Sequence, residues 1–413
     1  MTLLAPRVGL SPATTGVSYR AKRTTNASTR WAGLDAARGV AVAGMLVVEQ
    51  LPIGPRRHPW LIHAAWNGWT GADLVFPAFL FLAGISIDQL VSRRGPVSMV
   101  RLARRGVALV VLGVLFNAWA GAGADFTDAR WPGVLQRIGL VSLACGAIVV
   151  VCRREIWPVL LFTGAMLVLY AQLLVRVPLA CGTGVITPAC NVPGRLDVAL
   201  FGAAHVYNHG VFGYDPEGLL STLGALATAL IGVAVGRVLY GRSRARHTGF
   251  RALPGWLAIA CLCVVAFACW EVTHLGLAGP AVNKRLWTPA FVLLTSATSI
   301  VLLVGCHLVA DVWARTPSPM VRFASRAAAW PWAVLGRNAL IVYVGQHVLG
   351  AVLAQTTVHA GSRPTMTNSY LQAKFFARGW FGLDSQWTYV VAMLLLWTAI
   401  ATAMHGVRWY VTL

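Results

Sequence analysis

The sequence predicts an all-α protein that crosses a membrane many times, in about ten transmembrane helices with both termini in the cytosol. Three observations carry that prediction. The chain is 57% hydrophobic and only 11% charged, with a mean hydropathy of +0.66, well outside the composition of water-soluble domains. Apolar runs long enough to span the hydrocarbon layer recur along most of its 413 residues. Its basic residues lie in short segments between those runs, denser on one side than on the other.

Residues 1–30 are polar, rich in Ser and Thr, and basic, with no apolar run ending in a small-residue cleavage site. They read as a disordered cytosolic tail ahead of one membrane domain over 31–413. Apolar windows follow at 36–54, 72–91, 106–121, 133–152, 156–176, 218–240, 252–275, 288–312, 332–354 and 386–405. With the N-terminus inside, the cytosolic segments gather Arg20, Lys22, Arg23 and Arg30, then Arg93 to Arg105, Arg153 and Arg154, Arg242 to Arg251, Arg315 to Arg326, and Arg408. The opposite loops hold fewer, which fixes the expected orientation. The net charge of +21 is therefore explained by topology, and with no basic module bearing stacking aromatics nucleic acid is not an expected partner.

Taken in order, several windows carry or adjoin polar residues that membrane spans ordinarily avoid. LDAARG puts Asp35 and Arg38 at the cytosolic start of the first, as a structural pair or as the lining of an inner mouth. Glu49 stands near its outer end, where a low dielectric favours a proton carrier or a neutral acid. The stretch LIHAAWNGWTGADLVFPAFLFLAGISI runs His63, Trp66, Asn67 and Asp73 straight into the second. His63, ten residues before Asp73, reads equally as a base oriented by that carboxylate or as an interfacial histidine in a belt with Trp60, Trp66 and Trp69. WPGVLQRIG places Gln136 and Arg137 one turn inside the fourth, where an arginine needs an anion or a carboxylate. GYDPEG opens the sixth, and helix capping by Asp215 accounts for it. PAVNKRLW is an outer loop in which Asn283, Lys284 and Trp287 suit a sugar or an anion, though a solvated loop explains them as well. LGRNALIVYVGQH opens the ninth with Arg337 and Asn338, an arginine fork suited to phosphate, and carries Gln346 and His347 deeper in.

Cys181 and Cys190 bracket the turn CGTGVITPAC in the long outer loop, a spacing that favours a disulfide over two free thiols in an oxidising compartment. The other six cysteines lie in or beside apolar windows, none with zinc-ligand spacing, so no metal is expected.

Six blocks, in order, resemble the heparan-α-glucosaminide N-acetyltransferase family of membrane acyltransferases: RWAGLDAARGVAVAGMLVV, HAAWNGWTGADLVFPAFLFLAGIS, WPGVLQRIGL, YDPEGLL, PAVNKRLW and LGRNALIVYVGQHV. The likeness spans about residues 30 to 355 and takes in the paired outer-loop cysteines. It implies a transmembrane acyltransferase fold in which acetyl-CoA enters from the cytosol and its acetyl group passes to an amine or hydroxyl of an extracytoplasmic amino sugar or glycan. It implies a homodimer in the bilayer. His63 matches the family's catalytic histidine and Asp73 the acidic residue that follows it. The expected roles are His63 as base, Asn67 or the Trp66 indole N–H at the oxyanion, and Arg38 or Arg337 at the CoA nucleotide. Direct transfer and an acetyl-histidine intermediate both stay open. The family's asparagine at the end of the first span is replaced here by Glu49, and a carboxylate stabilises an oxyanion only when protonated. With no large lumenal segment ahead of it, the chain looks like a bacterial member in the plasma membrane, whose acceptor need not be heparan sulfate.

The competing class is a proton-coupled transporter or flippase for a small polar or lipid-linked solute, with His63, Asp73 and Glu49 as its relay. The absence of an obvious internal repeat counts against it. A scaffold subunit with no ligand is the third reading.

Overall fold

A computed structural model describes residues 31–50, 58–94, 97–122, 126–240, 253–272, 280–360, 363–380 and 383–410. Over these the chain is built from α1 (Ala32–Gln50), α2 (Val75–Arg94), α3 (Val97–Ala122), α4 (Val134–Val151), α5 (Ile156–Arg176) and α6 (Val192–Phe201). It continues with α7 (Thr222–Tyr240), α8 (Leu253–Val272), α9 (Pro289–His307), α10 (Pro319–Arg337), α11 (Ala339–Gln355), α12 (Thr367–Leu371) and α13 (Ser385–Gly406). One short antiparallel hairpin, β1 (Thr357–Ala360) with β2 (Arg363–Met366), interrupts the helices after α11. The helices from Ala32 onward form one compact unit. The proposed cytosolic tail, residues 1–30, lies outside the described residues, as do the basic positions 242–251.

Over the described residues every expected apolar window meets a helix, but ten spans are not confirmed. Among the described residues six helical segments are long and apolar enough to cross a membrane: Gly71–Ser92, Val134–Val151, Ile156–Arg176, Leu253–Trp270, Pro289–Arg315 and Ser385–Gly406. A seventh arises if α10 and α11, bent by 70° at Asn338, make one broken span. α1 stays outside the set because Asp35, Arg38 and Glu49 dilute it, and the apolar stretch of α7 is confined to Thr222–Val238. The window at 332–354, read from sequence as one span, straddles that bend.

Close backbone approach at small residues sets the packing, as it does where lipid tails supply no hydrophobic drive between helices. A Cβ added to Gly39 would strike the Trp332 carbonyl, and one added to Gly336 would strike that of Asp35, so α1 and α10 touch backbone to backbone. Gly84 and Gly232 do the same for α2 and α7. Beside the first contact a core of Val42, Leu46, Val334, Leu335, Val342 and Trp397 joins α1, α10, α11 and α13. These pairings leave one end of α1, α2 and α9 beneath the polar loops 58–74 and 280–288.

Candidate active site

The loop before α2 folds back because Thr70 and Asp73 form a reciprocal capping box around a 3₁₀ turn, Gly71–Leu74. Asp73 is wholly buried and its two oxygens divide the work. Oδ2 accepts the N–H groups of Thr70 at 3.0 Å and Ala64 at 3.1 Å and the Thr70 hydroxyl at 3.1 Å. Oδ1 faces His63 Nδ1 at 2.8 Å and Lys284 Nζ at 3.2 Å. A fully partnered carboxylate can only accept, so the imidazole donates from Nδ1 and keeps its lone pair on Nε2. Lys284 Nζ also lies 2.8 Å from Nδ1 and 3.2 Å from Nε2, against the ring edge. His63 is 36% exposed and Lys284 12%, so one titratable edge opens outward while its counter-charges are enclosed.

Lys284 is held there by its own loop. Asn283 accepts the Leu286 N–H at 3.0 Å through Oδ1 and donates from Nδ2 to Asn67 Oδ1 at 3.2 Å, while Gly68 donates to the Val282 carbonyl at 2.8 Å. The two loops are thereby zipped side by side. Trp287 ends the turn in a left-handed conformation, φ 52°, which costs a bulky residue about 1–2 kcal/mol and persists only under tight surroundings. Those surroundings are a Thr228 hydroxyl on its indole N–H at 3.1 Å and the Arg137 guanidinium 5.0 Å from the ring centre. Burial pulls the Lys284 ammonium below the usual lysine range, against the opposing pull of Asp73 and Glu217.

The disulfide loop covers the other flank. Cys181 and Cys190 are joined, with Cα atoms 6.6 Å apart, and the Ile186 carbonyl between them accepts the Trp66 indole N–H at 3.2 Å. That bond takes the Trp66 donor away from any oxyanion. The Asn67 amide, with only its oxygen engaged by Asn283, keeps its N–H donors.

Behind Lys284 lies a denser ionic group. Arg130 pairs with Asp215 and, at 2.5 Å, with Glu217, and stands 5.0 Å over the Tyr207 ring. Asp215 also accepts the Tyr207 and Glu217 N–H groups, both at 2.8 Å. Burial raises the Glu217 carboxyl, but Arg130 and Arg137 outweigh it and hold it below its ordinary value. Arg137, 1% exposed, donates to the Gly218 carbonyl at 3.1 Å and the Ser221 hydroxyl at 2.5 Å, leaving Nε and Nη1 without partners beside an apolar cavity of about 280 Å³. Asp197 accepts the Leu219 N–H at 2.8 Å on one oxygen and has no partner for the other, and burial pushes its carboxyl up to about 7.

α1 links two further clusters. At its end nearest the histidine, Glu49 Oε2 accepts from Gln346 Nε2 and stands 3.2 Å from His347 Nε2, and Gln50 donates to Gln346 at 2.9 Å. At its other end Asp35, 3% exposed, is shared by Arg38 and Arg337, each at 3.1 Å, and Arg38 reaches Ser86 at 2.7 Å. Asn338 beside them is fully buried, its amide spent on the Val334 and Ala401 carbonyls at the bend. The fourteen-residue interval from Asp35 to Glu49 places these clusters about 21 Å apart by helical rise.

A family model described as "Heparan-alpha-glucosaminide N-acetyltransferase, catalytic" matches residues 30–268, more than half of the chain. The chain belongs to that family. The human heparan-alpha-glucosaminide N-acetyltransferase is 27% identical over 372 residues, covering 77% of this chain and 53% of the human protein. The mouse protein is 26% identical over 386 residues, 80% of this chain and 55% of its own. The chain thus spans about half the length of these curated relatives.

In this N-acetyltransferase-family chain the structure gathers His63, Asp73, Asn67, Asn283 and Lys284 at one point, with Trp66 bonded to the disulfide loop and Trp287 packed on Arg137 at the end of the Lys284 turn. Glu49 faces the same point electrostatically, its charge neighbours being His347, His63 and Lys284. Arg38, Arg337 and Asn338 form the separate cluster at the far end of α1. The loop PAVNKRLW is not the solvated turn its polar letters allow: Asn283 and Trp287 are each 1% exposed. Sequence reading missed the Arg130–Asp215–Glu217 group, treating Asp215 as a local helix cap. Its signal was the YDPEG block itself, too acidic for one cap.

Proposed function

We propose that this chain is a transmembrane acetyltransferase that takes acetyl-CoA and acetylates the amine of an amino sugar or glycan, with His63 as general base. The single observation that carries the reading is the convergence of His63 and Lys284 on one buried carboxylate, Asp73. His63 Nε2 removes a proton from the acceptor nitrogen as that nitrogen bonds to the thioester carbonyl carbon. Asp73 fixes the tautomer and supports the imidazolium that forms. The Lys284 ammonium and the Asn67 amide stabilise the oxyanion, the C–S bond breaks, and the proton on His63 passes to the CoA thiolate. The arginine fork at Asp35 suits the phosphates of the donor's nucleotide, and the length of α1 suits its extended arm.

On this reading His63 faces the extracytoplasmic side and Arg38 and Arg337 the cytosol, in a multi-pass homodimer of the plasma membrane with both termini inside. Support comes from the excess of basic residues in the segments assigned to the cytosol.

Purified protein with labelled acetyl-CoA and a panel of amino sugars and cell-wall glycans tests the function. Label should move to an amine-bearing acceptor with release of one CoA, and acetyl-CoA alone should leave no acetyl group on His63 by mass spectrometry. Proton-driven solute uptake into proteoliposomes without CoA release would replace the enzyme with a transporter.

A further inference from the structure

Glu49, at the end of α1, meets two partners for its carboxyl group on α11, His347 and Gln346. His347 Nδ1 lies 2.8 Å from the Tyr343 carbonyl and 2.9 Å from Gln346 Nε2, and its Nε2 faces Glu49 Oε2 at 3.2 Å. Gln346 donates to the same oxygen, so among the described residues both contacts fall on Oε2 and none on Oε1. Glu49 and His63 are each 36% exposed, and His63 is among the charges that act on Glu49. The charged and titratable groups that act on Glu49 are His347 and Tyr343 from α11, and His63 and Lys284 from the two zipped loops.

The chemistry of an amine acceptor supplies a task for such a group. A primary amine of the α-amino class is mostly an ammonium below about pH 8. It must lose one proton before its lone pair exists and a second once the C–N bond has formed. His63 Nε2 can take only one of these. We infer that Glu49, held by His347, is the seat for the acceptor's ammonium and takes its first proton on Oε1, which makes the chain selective for amines over hydroxyls.

The step balances. The ammonium gives a proton to the Glu49 carboxylate and becomes a free amine. That amine bonds to the acetyl carbon while the C–S bond breaks, and His63 carries the second proton to the thiolate. Glu49 then releases its proton to water, so one acetyl-CoA and one ammonium yield one amide, one CoA thiol and one proton. An asparagine amide at this position could accept no proton at all.

The inference rests on the transferase reading, and its test separates the two. Full-length wild type, Glu49→Gln, Glu49→Asp and His347→Asn are assayed for CoA release across pH with two acceptors. One is glucosamine, and the other is O-methylhydroxylamine, whose nitrogen is unprotonated throughout the neutral range. Near pH 6.5, Glu49→Gln should lose about tenfold or more in kcat/KM for glucosamine relative to its loss with the hydroxylamine, and the gap should close above about pH 9. Glu49→Asp should restore part of the glucosamine rate, and His347→Asn should shift its acid limb. A loss that is equal for both acceptors at every pH, or no loss, overturns the ammonium seat alone. Wild type inert toward both acceptors overturns the transferase reading and the seat with it.

Discussion

The two ends of α1 hold the same kinds of side chain in opposite conditions. At one end Asp35 is buried and saturated, its oxygens shared between two guanidiniums whose charge never changes. At the other, Glu49 is half-exposed and faces His347, His63 and Lys284, none of them a guanidinium of fixed charge. A cluster of permanent charges can hold an anion but cannot move a proton, whereas a cluster of titratable groups can do both. On the proposed reading, separation of the two along one helix divides binding from chemistry.

Removal of the titratable base should break the contrast most severely. His63→Ala should lower kcat/KM for acetyl transfer about 10²–10⁴-fold while the thermal stabilisation given by acetyl-CoA persists. Near-normal turnover in that variant would end the assignment. Lys284→Met should follow, at about 10²-fold in kcat with little change in KM, as expected for a charge that acts on the transition state. At the opposite end, Arg337→Ala should raise the KM for acetyl-CoA about tenfold with kcat retained, because Arg38 still holds Asp35.

The smallest effect is on stability, and it sharpens the same distinction in a group that does no chemistry. Asp197 ionises near pH 3.9 when unfolded and at about 7 in the native chain. Between those values the native state holds the extra proton, so the contribution is complete below about pH 4 and lost as pH rises through 7. Asp197→Asn should be more stable than wild type at pH 8 and no more stable near pH 4, read from thermal unfolding in detergent.

The His63–Asp73 pair was legible because both residues sit in one short block and are joined by a local cap. Lys284 was named only as suited to a sugar or an anion; its place beside this pair, 221 residues after His63, was not legible, because side-chain pairing at that range leaves no periodic trace. The helices were legible from hydropathy, whereas the 70° bend at Asn338 was not, because an apolar window records composition and not direction. Trp287 shows the same limit: its position in a polar loop hid a ring wedged between Thr228 and Arg137.

The glycine contact between α1 and α10 has a consequence for how this chain can vary. Where Gly39 and Gly336 bring two backbones together, no side chain acts as a spacer. The interval between the arginine pair and Glu49 is therefore gauged in whole peptide units, and side-chain replacement can change what each end holds but not how far apart the ends stand. An inserted residue would lengthen the gauge by about 1.5 Å and turn one end by about 100°. Retuning the chain for a longer or shorter molecule between its ends demands rebuilding the helix itself.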